Sequence, residues 1–274
     1  MNDLEGMTAV VTGAGSVGPG VGNGRASAIR LAERGAQVAL LDVSDGVDDT
    51  LGTIRSAGGS AEAYRCDVTN AEAVAQTIDA VQARFGRIDI LFNNVGIPGP
   101  AGTVVDVDMD AWRRCLEVNL TSMVLVSRYC IPWMREVGGG SIINMSSLAG
   151  IRGGHAAVAY ATTKGAVISL TQAMASQHGR EGIRVNTVAP GLVFTPMVST
   201  KTGIDDAVRA KRADLNVLGT EGTAWDVAEA VVFLANPRSR WITGIVLPVD
   251  AGASMHSEAI GISVTDAGFT IPRR

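Results

Sequence analysis

Short apolar runs alternate with longer amphipathic segments along most of the chain. Most of these runs are nearly continuous in apolar residues, which is typical of strands whose two faces are both covered by helices. The runs are MTAVVTG (7–13), AQVALLD (36–42), a weaker AEAYRCD (61–67), IDILFNN (88–94), GSIINMS (140–146), IRVNTVA (183–189) and GIVLPVD (244–250). The amphipathic segments predict helices near residues 24–34, 70–85, 108–136, 157–180 and 223–235.

This alternation predicts a single α/β domain built on a doubly wound parallel sheet of about seven strands. Ligands of such sheets bind beyond the carboxyl ends of the strands. The residues predicted at those ends are Thr12, Asp42, Asp67, Asn93, Ser146, Ser147 and Pro190. Two segments break the alternation, a predicted substrate loop at about 194–220 and a tail at 253–274.

Size and charge narrow the function classes. The chain has 274 residues, of which 46% are apolar, and its formal net charge is −4. One soluble domain with a full core fits these values. The basic residues are scattered, so neither a nucleic acid nor an acidic membrane surface is expected as a partner. No apolar run reaches the roughly 20 residues that span a bilayer, and the polar start MNDLEG is unlike a signal peptide.

The three cysteines are Cys66, Cys115 and Cys130. The last two lie on one predicted helix, where their spacing corresponds to roughly 22 Å. A disulfide needs Cα atoms within about 7 Å, so these two cannot pair. The odd count and the lack of metal-like spacing predict reduced, buried thiols, no metal site and a cytoplasmic protein.

The stretch TGAGSVGPGVGNGRASA (12–28) contains more glycines than a phosphate-binding turn needs. If Gly13, Gly15 and Gly18 formed the turn, the next helix would contain a proline and three glycines, and each interior glycine costs about 1 kcal/mol relative to alanine. A better helix is GRASAIRLAER, closed by Gly35. We therefore predict that Gly24 is the third functional glycine and that residues 17–21 are an inserted loop.

Asp42 ends the next predicted strand, eighteen residues beyond Gly24. An acidic side chain at this point accepts hydrogen bonds from the adenosine ribose and repels a 2′-phosphate. No Arg or Lys follows in DVSDG (42–46), so NAD is favoured over NADP. The alternative is that Asp42 and Asp45 belong to an exposed acidic loop.

Tyr160 and Lys164 are four residues apart and share one face of a predicted helix. A free tyrosine has a pKa of about 10, too high for a base near neutrality, and a neighbouring cation lowers it. Such a pair alone is common on solvated helices. The pair indicates a catalytic site here because Ser147 ends a strand thirteen residues before Tyr160 and Asn119 lies within the long helix that begins at 108.

Together with NNVG (93–96) and APGLVFTPM (189–197), these motifs resemble the short-chain dehydrogenase/reductase family in its compact branch, from Thr12 to about Gly252. The resemblance implies a Rossmann-type fold, a nicotinamide cofactor and a homotetramer. It assigns Tyr160 as the acid/base, Ser147 as the group that polarises the substrate oxygen, and Lys164 as the residue that holds the ribose and lowers the tyrosine pKa. Asn119 would anchor a water chain from Lys164 to solvent.

The same resemblance implies a set of cofactor contacts. Asp67 would bind the adenine amino group with Val68 beside it, and Asn93 and Gly96 would line the adenosine side. The remaining positions are the turn residues Gly13, Gly15, Gly22, Asn23 and Gly24, the ribose residue Asp42, the carboxamide residues Pro190, Val193 and Thr195, and Tyr160 and Lys164 themselves. The chain departs from the family pattern in NNVG, in the inserted loop, and in the tail, for which we expect a subunit interface.

The expected reaction is NAD-dependent hydride transfer between a secondary alcohol and its ketone. The alternatives are a dinucleotide-binding regulator without turnover and an isomerase or lyase on the same fold. Candidate substrate residues are Leu148, His155, Leu192, Phe194 and Met197, a mostly apolar set that indicates a hydrophobic or alicyclic substrate. For His155 a polar loop is the preferred interpretation over substrate binding, and Arg152 has the same two interpretations. Trp133 is better explained by packing, and His178 by a solvated helix.

Overall fold

Seven parallel strands form the central sheet in a computed structural model, which describes residues 2–16, 18, 20–202 and 205–255. The strands are β1 (Thr8–Thr12), β2 (Gln37–Asp42), β3 (Ala61–Arg65), β4 (Ile90–Asn93), β5 (Gly140–Met145), β6 (Ile183–Pro190) and β9 (Val246–Val249), in the spatial order β3-β2-β1-β4-β5-β6-β9. The chain therefore winds outward in one direction from β1 and in the other from β4. The point between these two strands is where doubly wound sheets bind ligands.

Helices cover both faces of the sheet. They are α1 (Asn23–Glu33), α2 (Gly46–Ser56), α3 (Ala71–Phe85), α4 (Met109–Leu116), α5 (Ser122–Glu136), α6 (Val158–His178), α7 (Pro196–Thr202), α8 (Asp206–Ala213) and α9 (Ala224–Ala235). Successive strand residues point to opposite faces, so Val11 packs in the layer that contains α1, α2 and α9, and Val10 packs in the layer with α3, α5 and α6. This two-sided burial explains the nearly continuous apolar runs and confirms the predicted α/β fold.

Three helices were not anticipated from the sequence: α2, and α7 and α8 within the predicted substrate loop. Helix α2 begins directly after Asp45, in a segment for which an exposed acidic loop was the alternative interpretation. It buries only a narrow stripe formed by Val47, Thr50 and Ile54. The spacing of that stripe fits one helix face, but a threonine and the intervening acidic and glycine residues weaken the pattern.

The predicted helix 108–136 is continuous but not regular. A π-helical segment, Glu117–Thr121, separates α4 from α5 and contains Asn119. π-helical segments are rare and frequently occur at functional sites. All three thiols are free and buried, as predicted.

The segment at 194–220 forms a small subdomain beside the carboxyl edge of the sheet. A short strand, β7 (Val193–Phe194), pairs with β8 (Gly222–Thr223), and α7 and α8 lie between them in sequence. Residues 203 and 204 lie outside the described part of the chain, as do residues 256–274 of the predicted tail. The interface role of that tail stays a prediction. None of the helices within the described ranges is both long and apolar enough to cross a bilayer.

Candidate active site

A cavity of about 580 Å³ opens at the carboxyl ends of the strands. Most of the residues that we predicted for cofactor and catalysis line it, although they come from distant parts of the sequence. These are Gly13, Gly15, Gly22, Asn23, Gly24, Asp42, Asp67, Val68, Gly96, Ser147, Tyr160, Lys164, Pro190, Val193, Thr195 and Met197. Within the described ranges, the lining does not include Asn93, Asn119, Leu148, His155, Leu192 or Phe194.

The glycine turn has the predicted register. Helix α1 begins at Asn23, with Gly22 as its N-cap. A Cβ atom on Gly24 would lie only 2.0 Å from the carbonyl oxygen of Gly13, so no side chain fits between the helix and the turn. Gly24 is therefore the glycine that allows the close contact between helix and turn, which confirms the register and excludes Gly18 from that role. Residues 17 and 19 of the insertion lie outside the described part of the chain.

Asp42 is fixed at the rim of this turn. The N–H of Gly15 donates to Asp42 Oδ2 at 2.8 Å, and the N–H and hydroxyl of Ser44 both donate to Oδ1 at 2.8 Å. A Cβ on Gly15 would lie 3.0 Å from Asp42 Oδ2 and 2.9 Å from the backbone nitrogen of Val47. The turn, the start of α1 and the carboxylate thus form a narrow glycine-lined cleft that fits the phosphates and ribose of a dinucleotide.

Asp67 lines the cavity beside Asp42, because the N–H of the preceding Cys66 donates to the carbonyl oxygen of Asp42 at 3.1 Å. The Asp67 carboxylate accepts hydrogen bonds from the N–H of Thr69 at 2.9 Å and from the Thr69 hydroxyl at 2.7 Å. These bonds hold the pKa of Asp67 below its usual value. Arg114 also lines the cavity and donates to the Thr69 hydroxyl at 3.3 Å. Sequence reasoning missed both neighbours; the spacing in Asp67-x-Thr69 is a signal for the turn, whereas nothing local marks Arg114.

The prediction that Asn93 lines the adenosine side needs correction. Its amide is buried and donates to Asn144 Oδ1 at 2.9 Å and to the Ser127 hydroxyl at 3.1 Å. The next residue, Asn94, lines the cavity instead, and its Nδ2 donates to the carbonyl oxygens of Thr12 and Gly13 at 3.1 Å. Because adjacent strand residues point to opposite faces, only one of the two asparagines can reach the glycine turn.

Ser147, Tyr160 and Lys164 meet at the other side of the cavity. Ser147 follows β5, while Tyr160 and Lys164 lie in the first two turns of α6. Lys164 is almost fully buried, and its Nζ donates to the carbonyl oxygen of Met145 at 2.9 Å. The same Nζ lies 5.7 Å from the centroid of the Tyr160 ring. The ammonium is therefore held by the end of β5, directly beside the tyrosine.

Burial dominates the acid–base properties of these groups. It raises the pKa of Tyr160, and the hydrogen bond with Ser147 opposes this rise. It also lowers the pKa of Lys164 to about 8. The effect of Lys164 on the pKa of Tyr160 stays a prediction. The ammonium is directed to the Met145 carbonyl rather than to the tyrosine hydroxyl.

Asn119 connects the loop after β4 to helix α6. Its Oδ1 accepts from the N–H of Ile97 at 2.7 Å, and its Nδ2 donates to the Ile97 carbonyl at 2.9 Å and to the Thr163 hydroxyl at 3.2 Å. Thr163 in turn donates to the carbonyl of Tyr160 at 2.8 Å. The buried thiol of Cys115 accepts from the same Nδ2 at 3.3 Å. Asn119 thus positions the catalytic helix, and its predicted role in a water chain stays a prediction.

Most of the predicted substrate residues lie outside the cavity. Met197 lines it. Phe194 instead packs against Arg209, whose Cζ lies 4.3 Å from the centroid of the phenylalanine ring. Leu148 begins a short 3₁₀ helix, and Leu192 lies in the turn before β7. His155 lies against the Tyr160 ring instead.

The structure also shows the surroundings of Arg152, Trp133 and His178. The Nη1 of Arg152 donates to the carbonyl of Ala253, so this side chain connects the loop after β5 to the start of the tail. Trp133 packs against the buried core, as predicted. His178 pairs with Glu181 at 2.9 Å and is not simply solvated.

Comparisons with known proteins identify relatives of this chain. A family model described as enoyl-(acyl carrier protein) reductase matches residues 20–254. A cis-4-hydroxycyclohexanecarboxylate dehydrogenase from Sinomonas cyclohexanicum is 40% identical, over 89% of this chain and 95% of that protein.

Solved structures have the same fold. A protein from Burkholderia xenovorans described as a short-chain dehydrogenase/reductase superposes with a TM-score of 0.89 at 41% identity, over 93% of this chain and 99% of the other. Levodione reductase superposes with a TM-score of 0.86 at 31% identity, over 92% and 99% of the two chains.

Proposed function

The chain belongs to the short-chain dehydrogenase/reductase family, and from this premise we propose that it uses NAD to interconvert a secondary alcohol and the corresponding ketone, with Tyr160 as acid/base. One observation carries the proposal. A single cavity has the glycine turn and Asp42 at one end and Ser147, Tyr160 and Lys164 at the other. A dinucleotide that lies along this cavity has its phosphates at the turn and its reactive end beside the tyrosine.

The residues of the chain divide the proton chemistry between them. In the oxidation direction, the Tyr160 phenolate accepts the proton of the alcohol, and the Ser147 hydroxyl donates a hydrogen bond to the substrate oxygen. Lys164, fixed on the Met145 carbonyl, holds the nicotinamide ribose and supplies a cation beside the tyrosine. When bound, NAD⁺ supplies the hydride acceptor and a positive charge that favours the phenolate.

Asp42 supports NAD over NADP. Its carboxylate lines the cavity and is oriented by Gly15 and Ser44. A fixed carboxylate at the ribose accepts hydrogen bonds from two hydroxyls and repels a 2′-phosphate. We therefore include NAD preference in the proposal.

The substrate class follows from the cavity wall and from the relatives. Ile97, Val193, Met197 and Val198 contribute apolar surface to the cavity. The Sinomonas relative acts, by its name, on a hydroxyl group of a cyclohexane ring. We propose an alicyclic secondary alcohol as the substrate class.

Family membership also supports a homotetrameric cytoplasmic enzyme, and light scattering on the purified protein measures the assembly. For the tail at 253–274 we keep the proposal that it packs at a subunit interface. A chain truncated after Gly252 that forms the same assembly and has the same Michaelis constant as the full chain would contradict that role.

The test of the reaction is absorbance at 340 nm with NAD⁺ or NADP⁺ and a panel of alcohols. The panel contains cyclohexanol, cis- and trans-4-hydroxycyclohexanecarboxylate, 2,3-butanediol and the primary alcohol 1-butanol. We expect turnover with NAD⁺ and a ring alcohol, and at least tenfold less with NADP⁺ (a difference of roughly 1.4 kcal/mol). Binding of NADH without turnover of any alcohol or ketone would favour a regulator. Substrate consumption without an absorbance change would favour an isomerase or lyase.

A further inference from the structure

Two strand ends lie side by side at the adenosine end of the cavity. Strands β2 and β3 are parallel, and their terminal residues Asp42 and Arg65 are direct partners in the register. Neighbouring strands are about 4.8 Å apart, and paired residues direct their side chains to the same face of the sheet. The side chain of Arg65 therefore begins next to the carboxylate that we assign to the ribose.

Arg65 is nevertheless directed away from that carboxylate. Its guanidinium donates to the carbonyl of Ser44 and pairs with Asp45 at 2.8 Å and with Asp48 at 2.7 Å. Among the described residues it forms no ion pair with Asp42. Asp45 is the N-cap of α2 and Asp48 lies in its first turn, so both acidic residues are fixed to the start of one helix.

Ser44 lies between the Asp42 carboxylate and the guanidinium of Arg65. Its N–H and hydroxyl donate to Asp42, while its carbonyl accepts from Arg65. A single residue, Ser44, thus connects the guanidinium to the carboxylate that would bind the ribose. Arginine is well suited to bind a phosphate because its planar group donates two parallel hydrogen bonds.

We propose that Arg65 is a latent phosphate-binding cation, and that Asp45 and Asp48 contribute to cofactor specificity by engaging it. The proposal rests on the dinucleotide site proposed above. Asp42 would exclude the 2′-phosphate directly, while the two acidic residues of α2 withhold an adjacent cation that could otherwise bind that phosphate. The side chains of Asp45 and Asp48 are 101% and 64% exposed. Exposed ion pairs contribute little to stability, so their removal leaves the fold intact.

The experiment measures equilibrium binding of NADH and NADPH by nucleotide fluorescence, without any substrate. Three variants are compared: Asp42→Ala, Asp42→Ala/Asp45→Asn/Asp48→Asn, and this triple variant with Arg65→Gln. We expect the triple variant to bind NADPH roughly tenfold more tightly than Asp42→Ala does, because one charge-assisted hydrogen bond contributes at least that much. Adding Arg65→Gln should abolish this gain in NADPH affinity. The NADH dissociation constants of the three variants should differ little from one another.

Asp49 provides a matched control. It is the next residue of α2, carries the same charge, and pairs with Arg25 at 3.8 Å rather than with Arg65. In the Asp42→Ala background, Asp48→Asn should improve NADPH binding more than Asp49→Asn does. Equal gains, or a gain that survives Arg65→Gln, would mean that only charge repulsion has been relieved, and the proposal would be wrong.

Failure of the underlying function has a different signature. Wild-type protein that binds NADPH as tightly as NADH contradicts the proposed NAD preference. The comparison of the variants with and without Arg65→Gln still tests the role of Arg65 independently. If Asp42→Ala variants do not fold, Asp45→Asn/Asp48→Asn in the wild-type background replaces them. An Arg65-dependent gain in NADPH affinity is again expected there, and its absence overturns the proposal.

Discussion

The imidazole of His155 lies against the phenol ring of Tyr160, with 4.8 Å between the ring centroids and 30° between the ring planes. The N–H of Ala157 donates to His155 Nδ1 at 3.1 Å, which fixes the imidazole at the start of α6. A ring in this position restricts the orientation of the tyrosine. Nδ1 also lies 3.3 Å from the carbonyl oxygen of Ala157, so the tautomer determines which ring nitrogen carries the proton.

Two substitutions of His155 separate packing from substrate contact. His155→Phe keeps a ring against Tyr160 but removes the ring nitrogens, whereas His155→Ala removes both the ring and its nitrogens. If His155 acts by packing, kcat falls roughly two- to tenfold in His155→Ala, because aromatic pairs contribute about 0.5–1.5 kcal/mol, and His155→Phe retains wild-type kcat. We expect this result, measured from initial rates with the best alcohol of the panel. Equal increases of KM in both variants would instead identify His155 as a substrate-binding residue.

Tyr160→Phe tests the acid/base assignment. The substitution removes the hydroxyl while it keeps the ring that packs beside His155 and Lys164. We expect kcat to fall by at least roughly 100-fold, the low end for general acid–base catalysis. NADH fluorescence should give a dissociation constant close to that of the wild type, which serves as the folding control. Near-normal turnover in this variant would reject the mechanism.

Lys164 makes the stability of the protein depend on pH. Burial lowers its pKa from 10.5 to about 8 in the folded protein. Below pH 8 the native state contains a buried ammonium and bears its full desolvation cost. Between pH 8 and 10.5 the unfolded chain binds a proton that the native state lacks, so the free energy of unfolding rises with pH in this window.

The comparison of wild type with Lys164→Met isolates this effect. From pH 8 to 9.5, the wild-type free energy of unfolding should rise relative to the variant by about 2 kcal/mol. Urea unfolding at three pH values measures it. Buried Cys130 and Cys66, whose pKa values are raised, contribute with the opposite sign in both proteins and cancel in the difference. Parallel curves for the two proteins would show that Lys164 is not desolvated.

Gly24 and Gly22 form a matched pair for the glycine turn. A methyl group on Gly24 would lie 2.0 Å from the Gly13 carbonyl oxygen, whereas on Gly22 the nearest atom is the Ser16 hydroxyl at 3.5 Å. Gly24→Ala should therefore destabilise the protein by about 1–3 kcal/mol or more, as overpacking does. Gly22→Ala, at φ −84°, should cost far less. Urea unfolding of both variants measures the difference, and equal stabilities would contradict the close packing of α1 on the turn.

The sequence predicts those parts of the fold and site that depend on local patterns. Apolar alternation identifies the seven strands, and the cost of glycines within a helix identifies Gly24. Whether Asn93 or Asn94 faces the cavity depends on where β4 ends in the sheet, which the run of apolar residues does not determine. The contact of His155 with Tyr160 and the pairing of Arg65 with α2 join different elements, so only the folded chain brings these groups together.

The insertion at 17–21 is one of three features that we expect to depart from the family pattern, and its removal provides the last test. The two ends of the insertion are already adjacent, because the N–H of Gly22 donates to the Ser16 hydroxyl at 3.1 Å. A deletion that joins Ser16 to Gly22 restores TGAGSGNGRA and leaves the start of α1 in place. We expect a folded, active protein whose NAD dissociation constant changes by less than about tenfold, or 1.4 kcal/mol.

Two other results of this deletion have distinct meanings. Loss of folding, seen by circular dichroism, would contradict the glycine register. A Cβ on Gly20 would lie 3.4 Å from Pro196 Cγ, so the insertion reaches the segment that begins α7. A loss of NAD affinity beyond tenfold with the fold intact would therefore mean that this contact helps to enclose the cofactor. The substitution Pro196→Ala in the full chain removes the Cγ atom of this contact. It should then also weaken NAD binding.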